Sequence, residues 1–195
     1  MKRVSFIRHY RLAIPFDHWS HMSLKEFVDL TEGRADPEIE TGFGPEFLEL
    51  PRDIKSAEFL LVGTKKRTQQ SAIAINKFLN LNIPTISSLL FDEIPSRILT
   101  IPTEREFETM KTKEKLTVKK QRVMGNEDKV IRLMEIDKYL SELPYSQILV
   151  ISHSYLIGLL NYWFNIIKRR PKSFDGKMAD NHEIGGWLRG FDFQF

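Results

Sequence analysis

The chain has no cysteine, which excludes disulfides and thiolate metal sites and leaves packing and hydrogen bonding to hold the fold. It also lacks a run long enough to span a bilayer, which takes about 20 apolar residues. The longest nearly apolar stretch, Tyr155 to Ile167, is broken by Gly158 and Asn161 and reads as a buried helix. No internal repeat is present. Met1-Lys2-Arg3 runs directly into a strand-like segment, without the apolar stretch and small-residue cleavage site of a signal peptide, so a cytoplasmic protein is expected. Neither sign of charge dominates: 29 Lys and Arg against 26 Asp and Glu leave +3. That balance favours acidic small molecules slightly and implies no nucleic-acid partner. What is present is the composition of one ordinary globular domain, 195 residues at 42% hydrophobic and 28% charged. The oligomeric state is not encoded in any pattern.

Apolar runs and helical stripes alternate along the chain. Val4 to Ile7 and Phe59-Leu60-Leu61-Val62-Gly63 read as strands, the second leading into a helix over Thr68 to Leu81 with Ala72, Ile75, Phe78 and Leu79 at helical spacing. A helix over Glu127 to Leu143 precedes a third strand, Ile148 to Ser152, and the apolar helix from Tyr155 follows it. The order predicts an α/β fold, a three-layer α/β/α sandwich around a mainly parallel sheet. Ser23-Leu24-Lys25-Glu26 matches a capping box opening a short helix that ends near Gly33. Ala35 to Pro51, with three prolines and no sustained period, reads as an irregular connection. The charged stretch Thr103 to Arg122 reads as an exposed insertion or cap element, about 100–125, within a single domain over 1–195. Ile184 to Phe191 reads as a last, glycine-interrupted edge strand.

Two of the strands stop at a histidine. Ser5-Phe6-Ile7-Arg8-His9 and Ile148-Leu149-Val150-Ile151-Ser152-His153 place His9 and His153 at the carboxyl ends of strands, where ligands of open α/β sheets bind. Neutral imidazole can attack phosphorus and split a difficult hydrolysis into two displacements, provided cations hold the phosphoryl oxygens. Arginine suits that holding role because its planar fork grips two oxygens and stays charged. Arg8, beside His9, and Arg67, in Thr64-Lys65-Lys66-Arg67-Thr68-Gln69-Gln70-Ser71-Ala72, are the natural clamps. A leaving alkoxide needs a general acid, and Asp92-Glu93 supplies two candidates: Glu93 is the first choice and Asp92 the alternative.

In these motifs the chain resembles the histidine phosphatase superfamily, also called phosphoglycerate-mutase-like. The resemblance rests on Arg8-His9, then Arg67-Thr68-Gln69-Gln70-Ser71-Ala72, then Asp92-Glu93, then Ser152-His153, in the family's order over roughly residues 2 to 165. It implies that His9 is the nucleophile that becomes phosphorylated, that Arg8 and Arg67 bind the phosphoryl oxygens, and that His153 donates a further hydrogen bond to the transition state. It implies a metal-independent phosphoric monoester hydrolase, without cofactor, acting on a phosphorylated small molecule. Two departures stand out. The family usually has a glycine after each histidine, where this chain has Tyr10 and Ser154. The Glu-Ser of phosphoglycerate mutases is replaced by Tyr10-Arg11-Leu12-Ala13-Ile14-Pro15, which disfavours a mutase. A mutase-type transferase and a catalytically silent binder of phosphorylated ligands remain the alternatives.

Arg11 and His182 are further candidates for contact with substrate. His18 and His21 have the His-x-x-His spacing, but zinc needs three or four ligands and no further histidine or carboxylate follows at a familiar spacing, so no metal is expected. Lys168-Arg169-Arg170-Pro171-Lys172 follows an apolar helix, where cations complement the helix end.

Overall fold

The computed structural model describes residues 1–13, 22–44, 47, 50, 52–124, 129–167 and 190–195. Four parallel strands and one antiparallel edge strand form the central sheet. They are β1 (Arg3–Arg8), β2 (Phe59–Val62), β3 (Thr85–Ser87), β6 (Gln147–Ser152) and β7 (Gly190–Gln194), in the order β3-β2-β6-β1-β7. The inner strands are apolar at nearly every position because helices cover both faces of the sheet, leaving no solvated side to alternate towards.

Side-chain alternation along the strands divides the core in two. Val4, Phe6, Leu61 and Val150 point to one face, where they pack with Leu133, Ile136 and Leu140 of α5 (Lys129–Glu142) and with Leu156, Ile157 and Leu160 of α6 (Ser154–Tyr162). Ile7, Leu60, Val62, Leu149 and Ile151 point to the other, against Ala72 and Ile75 of α2 (Lys66–Leu79). Helix α6 is buried on all sides, in keeping with its mostly apolar sequence. Helix α2 ends at Asn80, in the left-handed region at φ 53°, a conformation asparagine tolerates better than most residues. Among the described residues no helix is long and apolar enough to cross a membrane.

A smaller layer sits apart from the sheet. Helix α1 (Leu24–Thr31) opens with the capping box at Ser23 and Glu26, and packs Phe27 against Phe107 of α3 (Glu104–Thr109) at 4.9 Å between ring centroids. The stretch expected to be an exposed charged insertion is therefore partly structural. It holds α3 and α4 (Thr112–Lys120), and its ends are joined by an antiparallel pair, β4 (Ser96–Ile98) with β5 (Arg122–Met124). Few apolar residues are needed there because lysine stems cover apolar surface. Lys115 is buried, with Nζ 4.0 Å above the Phe107 ring, a cation–π arrangement.

The last strand continues past Phe191, the expected end, to Gln194. β7 pairs antiparallel with β1, and Phe191 and Phe193 seat against Phe6 and Phe164 at 4.6 Å each. The period-two repeat Phe191-Asp192-Phe193-Gln194-Phe195 sets this strand. Residues 184–189 lie outside the described residues.

Candidate active site

The register of the two central strands builds the site. β1 and β6 pair in parallel with Arg8 opposite Ser152, so His9 and His153 are the next residues after neighbouring strands at the carboxyl edge of the sheet. The His9 N–H donates to the Ser152 carbonyl at 2.9 Å, which fixes the offset. The two rings, 4% and 1% exposed as residues, lie with centroids 5.2 Å apart and planes at 63°.

Hydrogen bonding gives the imidazoles opposite tautomers. His9 Nδ1 lies 2.8 Å from the Tyr10 carbonyl; a carbonyl only accepts, so Nδ1 carries the proton and Nε2 presents a lone pair. His153 Nδ1 accepts from Arg67 Nε at 3.3 Å, so its proton resides on Nε2. That Nε2 is buried and has no hydrogen-bond partner among the described residues. A buried donor without an acceptor is costly, and here it belongs to a side chain beside a buried lone pair. Both rings are neutral: burial holds the pKa of each well below 6.5, and Arg8 and Arg67 add to the effect at both. Lys65 adds a weaker push at His153.

Arg67 sits in the first turn of α2 and is 5% exposed. Besides His153, its guanidinium donates from Nη1 to the Ala35 carbonyl at 3.1 Å and to Asp36 Oδ1 at 3.3 Å. The other oxygen of Asp36 accepts from the Lys66 N–H at 2.7 Å, so one carboxylate both caps the start of α2 and braces the arginine. Arg8 ends β1 and is half-buried. Arg11 is half-buried two residues beyond His9, its carbonyl accepting from the Glu40 N–H at 2.9 Å.

The two candidate acids do different things. Asp92 accepts from Thr64 N–H and Thr64 Oγ1, each at 2.5 Å, and so is engaged with the loop that leaves β2. Glu93 reaches the start of α6, accepting from the Leu156 N–H at 3.0 Å and the Tyr155 N–H at 3.3 Å. His153 is the N-cap of the same helix. One helix terminus thus carries His153, whose Nε2 has no partner among the described residues, and the Glu93 carboxylate, which suits the positive end of the helix dipole.

Tyr10, standing where a glycine was expected, turns away from the imidazoles. Its ring meets Phe47 at 4.8 Å between centroids and its hydroxyl accepts from the Gly44 N–H at 2.9 Å. Ser154 is the first residue of α6 and is buried. His182, His18 and His21 lie outside the described residues. Sequence reasoning missed Asp36, which stands in an irregular segment without a period, and Thr64, whose place after a strand-ending glycine was the only signal.

No family model matches the chain, and no curated protein matches it. Solved structures do. A candidate alpha-ribazole-5'-P phosphatase from Escherichia coli K-12 superposes with a TM-score of 0.53 at 16% identity, over 84% of this chain and 80% of that one. A mycobacterial glucosyl-3-phosphoglycerate phosphatase in complex with VO3 superposes with a TM-score of 0.54 at 8% identity, over 98% of this chain and 90% of that one.

Proposed function

We propose that this chain, which shares the phosphoglycerate-mutase-like fold of the histidine phosphatases, hydrolyses phosphate monoesters of small molecules through a phosphohistidine on His9. The observation that carries the reading is the pairing of tautomers: an Nε2 lone pair on His9 beside a buried Nε2–H on His153 that has no partner among the described residues. A phosphoryl group accommodates both, offering phosphorus to the first and an oxygen to the second. Vanadate, bound by the mycobacterial fold neighbour, has the same shape and charge.

His9 Nε2 attacks phosphorus as the ester oxygen leaves, and Arg8, Arg67 and the His153 Nε2–H take the charge spread over the equatorial oxygens. Glu93 gives its proton to the departing alkoxide. That proton enters the site with the monoanionic ester. In the second displacement Glu93, now a carboxylate, removes a proton from water as the water oxygen attacks the phosphohistidine. Free phosphate leaves and His9 is restored with its lone pair. Asp92, spent on Thr64, supports the loop rather than the reaction.

Incubation with p-nitrophenyl phosphate in EDTA tests the reading. Release of nitrophenol by the native protein that is abolished in His9→Ala is expected. No release from either overturns hydrolysis and favours a silent binder. Transfer between two positions of one substrate, without free phosphate, overturns it in favour of a mutase.

A further inference from the structure

The loop that delivers Glu93 has four consecutive carbonyls, Leu89 to Asp92, and side chains from two other elements hold every one. Arg132 on α5 donates from Nη2 to the Leu89 carbonyl at 2.8 Å and to the Asp92 carbonyl at 2.6 Å. It also donates to the Leu90 carbonyl, from Nε at 3.2 Å and Nη2 at 3.1 Å. The carbonyl between, that of Phe91, accepts from Ser152 Oγ at 2.6 Å. Arg132 is 8% exposed. Burying a guanidinium is expensive, and well-packed apolar side chains commonly stabilise as much or more, so stability alone does not call for a cation here. A planar fork gives something packing does not, a fixed direction for each carbonyl it holds.

The residue that follows these carbonyls is Glu93. Its carboxylate is held at Leu156 N–H and Tyr155 N–H, beside His153. We propose that Arg132, together with Ser152, is a positioning residue that sets the reach of the Glu93 carboxylate towards the leaving oxygen. The proposal rests on the reading of Glu93 as general acid given above. Arg132 acts through the loop and does not touch the phosphoryl group. Without it the carbonyls of Leu90 and Asp92 lose the guanidinium, that of Leu89 keeps only the Asp92 N–H, the turn relaxes, and Glu93 moves away from the line of proton transfer.

Leaving-group dependence separates positioning from general support. An aryl phosphate departs without a proton and an alkyl phosphate requires one, so kcat/KM is measured on p-nitrophenyl phosphate and on glycerol 2-phosphate. Arg132→Met is expected to lose at least about tenfold more on the alkyl ester than on the aryl one, a fraction of what a general acid supplies. Ser152→Ala is expected to lose in the same sense but less, and Arg132→Lys to recover part. Equal losses on both esters overturn the proposal. If Arg132→Met does not fold, Arg132→Lys and Ser152→Ala carry the comparison. A second measurement needs no turnover: the amide shifts of Tyr155 and Leu156 followed against pH. They are expected to report ionisation of Glu93 in the native protein, to lose that step in Glu93→Gln, and to show it reduced and displaced in Arg132→Lys. An unchanged titration in Arg132→Lys overturns the positioning role even where hydrolysis stands. A native protein without phosphatase activity overturns the functional reading while the amide titration still judges Arg132.

Discussion

In the proposed reaction His153 is the residue on which the chemistry turns, because the hydrogen bond at one of its nitrogens decides what the other can do. Arg67 Nε donates to Nδ1, so the proton is on Nε2, directed at the phosphoryl oxygens in the proposed complex. Arg67 thereby contributes twice, as a charge and as the group that fixes a tautomer. Arg67→Lys keeps the charge and loses both the Nε donor and the Nη1 contacts to Ala35 and Asp36. We expect kcat on p-nitrophenyl phosphate to fall about 10²-fold or more in Arg67→Lys and in His153→Ala, the scale of a lost transition-state donor. If Arg67→Lys retains native kcat, the tautomer account fails. The arginines and histidines themselves were legible in the sequence because each stands at the end of an apolar run or the start of a helical stripe. The separation of Glu93 from Asp92 was not. Adjacent carboxylates in one turn have the same local pattern, and only the arrival of Thr64 on one side and α6 on the other distinguishes them.

At the scale of elements, the site depends on how closely the loop after β2 meets the acid loop. A methyl group at Gly63 would lie 2.7 Å from Asp92 Oδ1 and 2.8 Å from the Phe91 carbonyl, contacts that force one loop to move. Gly63→Ala is therefore expected to destabilise by about 1–3 kcal/mol, the usual cost of overpacking, read by urea unfolding. It is also expected to slow alkyl esters more than aryl ones, because the displaced loop carries Glu93. A variant as stable and as active as the native protein would contradict the geometry. The strands and helices that build this edge were readable from apolar runs and periods. β3 was not: all three of its residues are exposed, so burial imposes no pattern there. The β4–β5 pair was equally silent, its strands being three residues each.

For the whole molecule, keeping two imidazoles neutral ties stability to pH. The pKa of each is held well below 6.5 in the folded chain, by burial first, while in the unfolded chain each titrates near the ordinary value. Below about pH 6.5 the unfolded chain binds protons that the folded one refuses, so stability falls as pH drops from there towards the folded pKa values. Above that range the two states bind these protons equally and the histidines contribute no slope. Urea unfolding at pH 7.5 and at pH 5 is expected to show a loss that shrinks when His9 and His153 are both replaced by glutamine. A loss of the same size in the double variant would contradict their burial as neutral rings. In the proposed reaction the same neutrality keeps the His9 lone pair available in mildly acidic solution.

Trapping the reaction part-way tests the central claim most directly. Quenching turnover of a phosphate monoester with base and mapping the protein by mass spectrometry is expected to show one phosphoryl group on His9, stable to base, lost in acid, and missing from His9→Ala. Turnover with no phosphorylated His9, or with the phosphoryl group on another residue, would contradict the account.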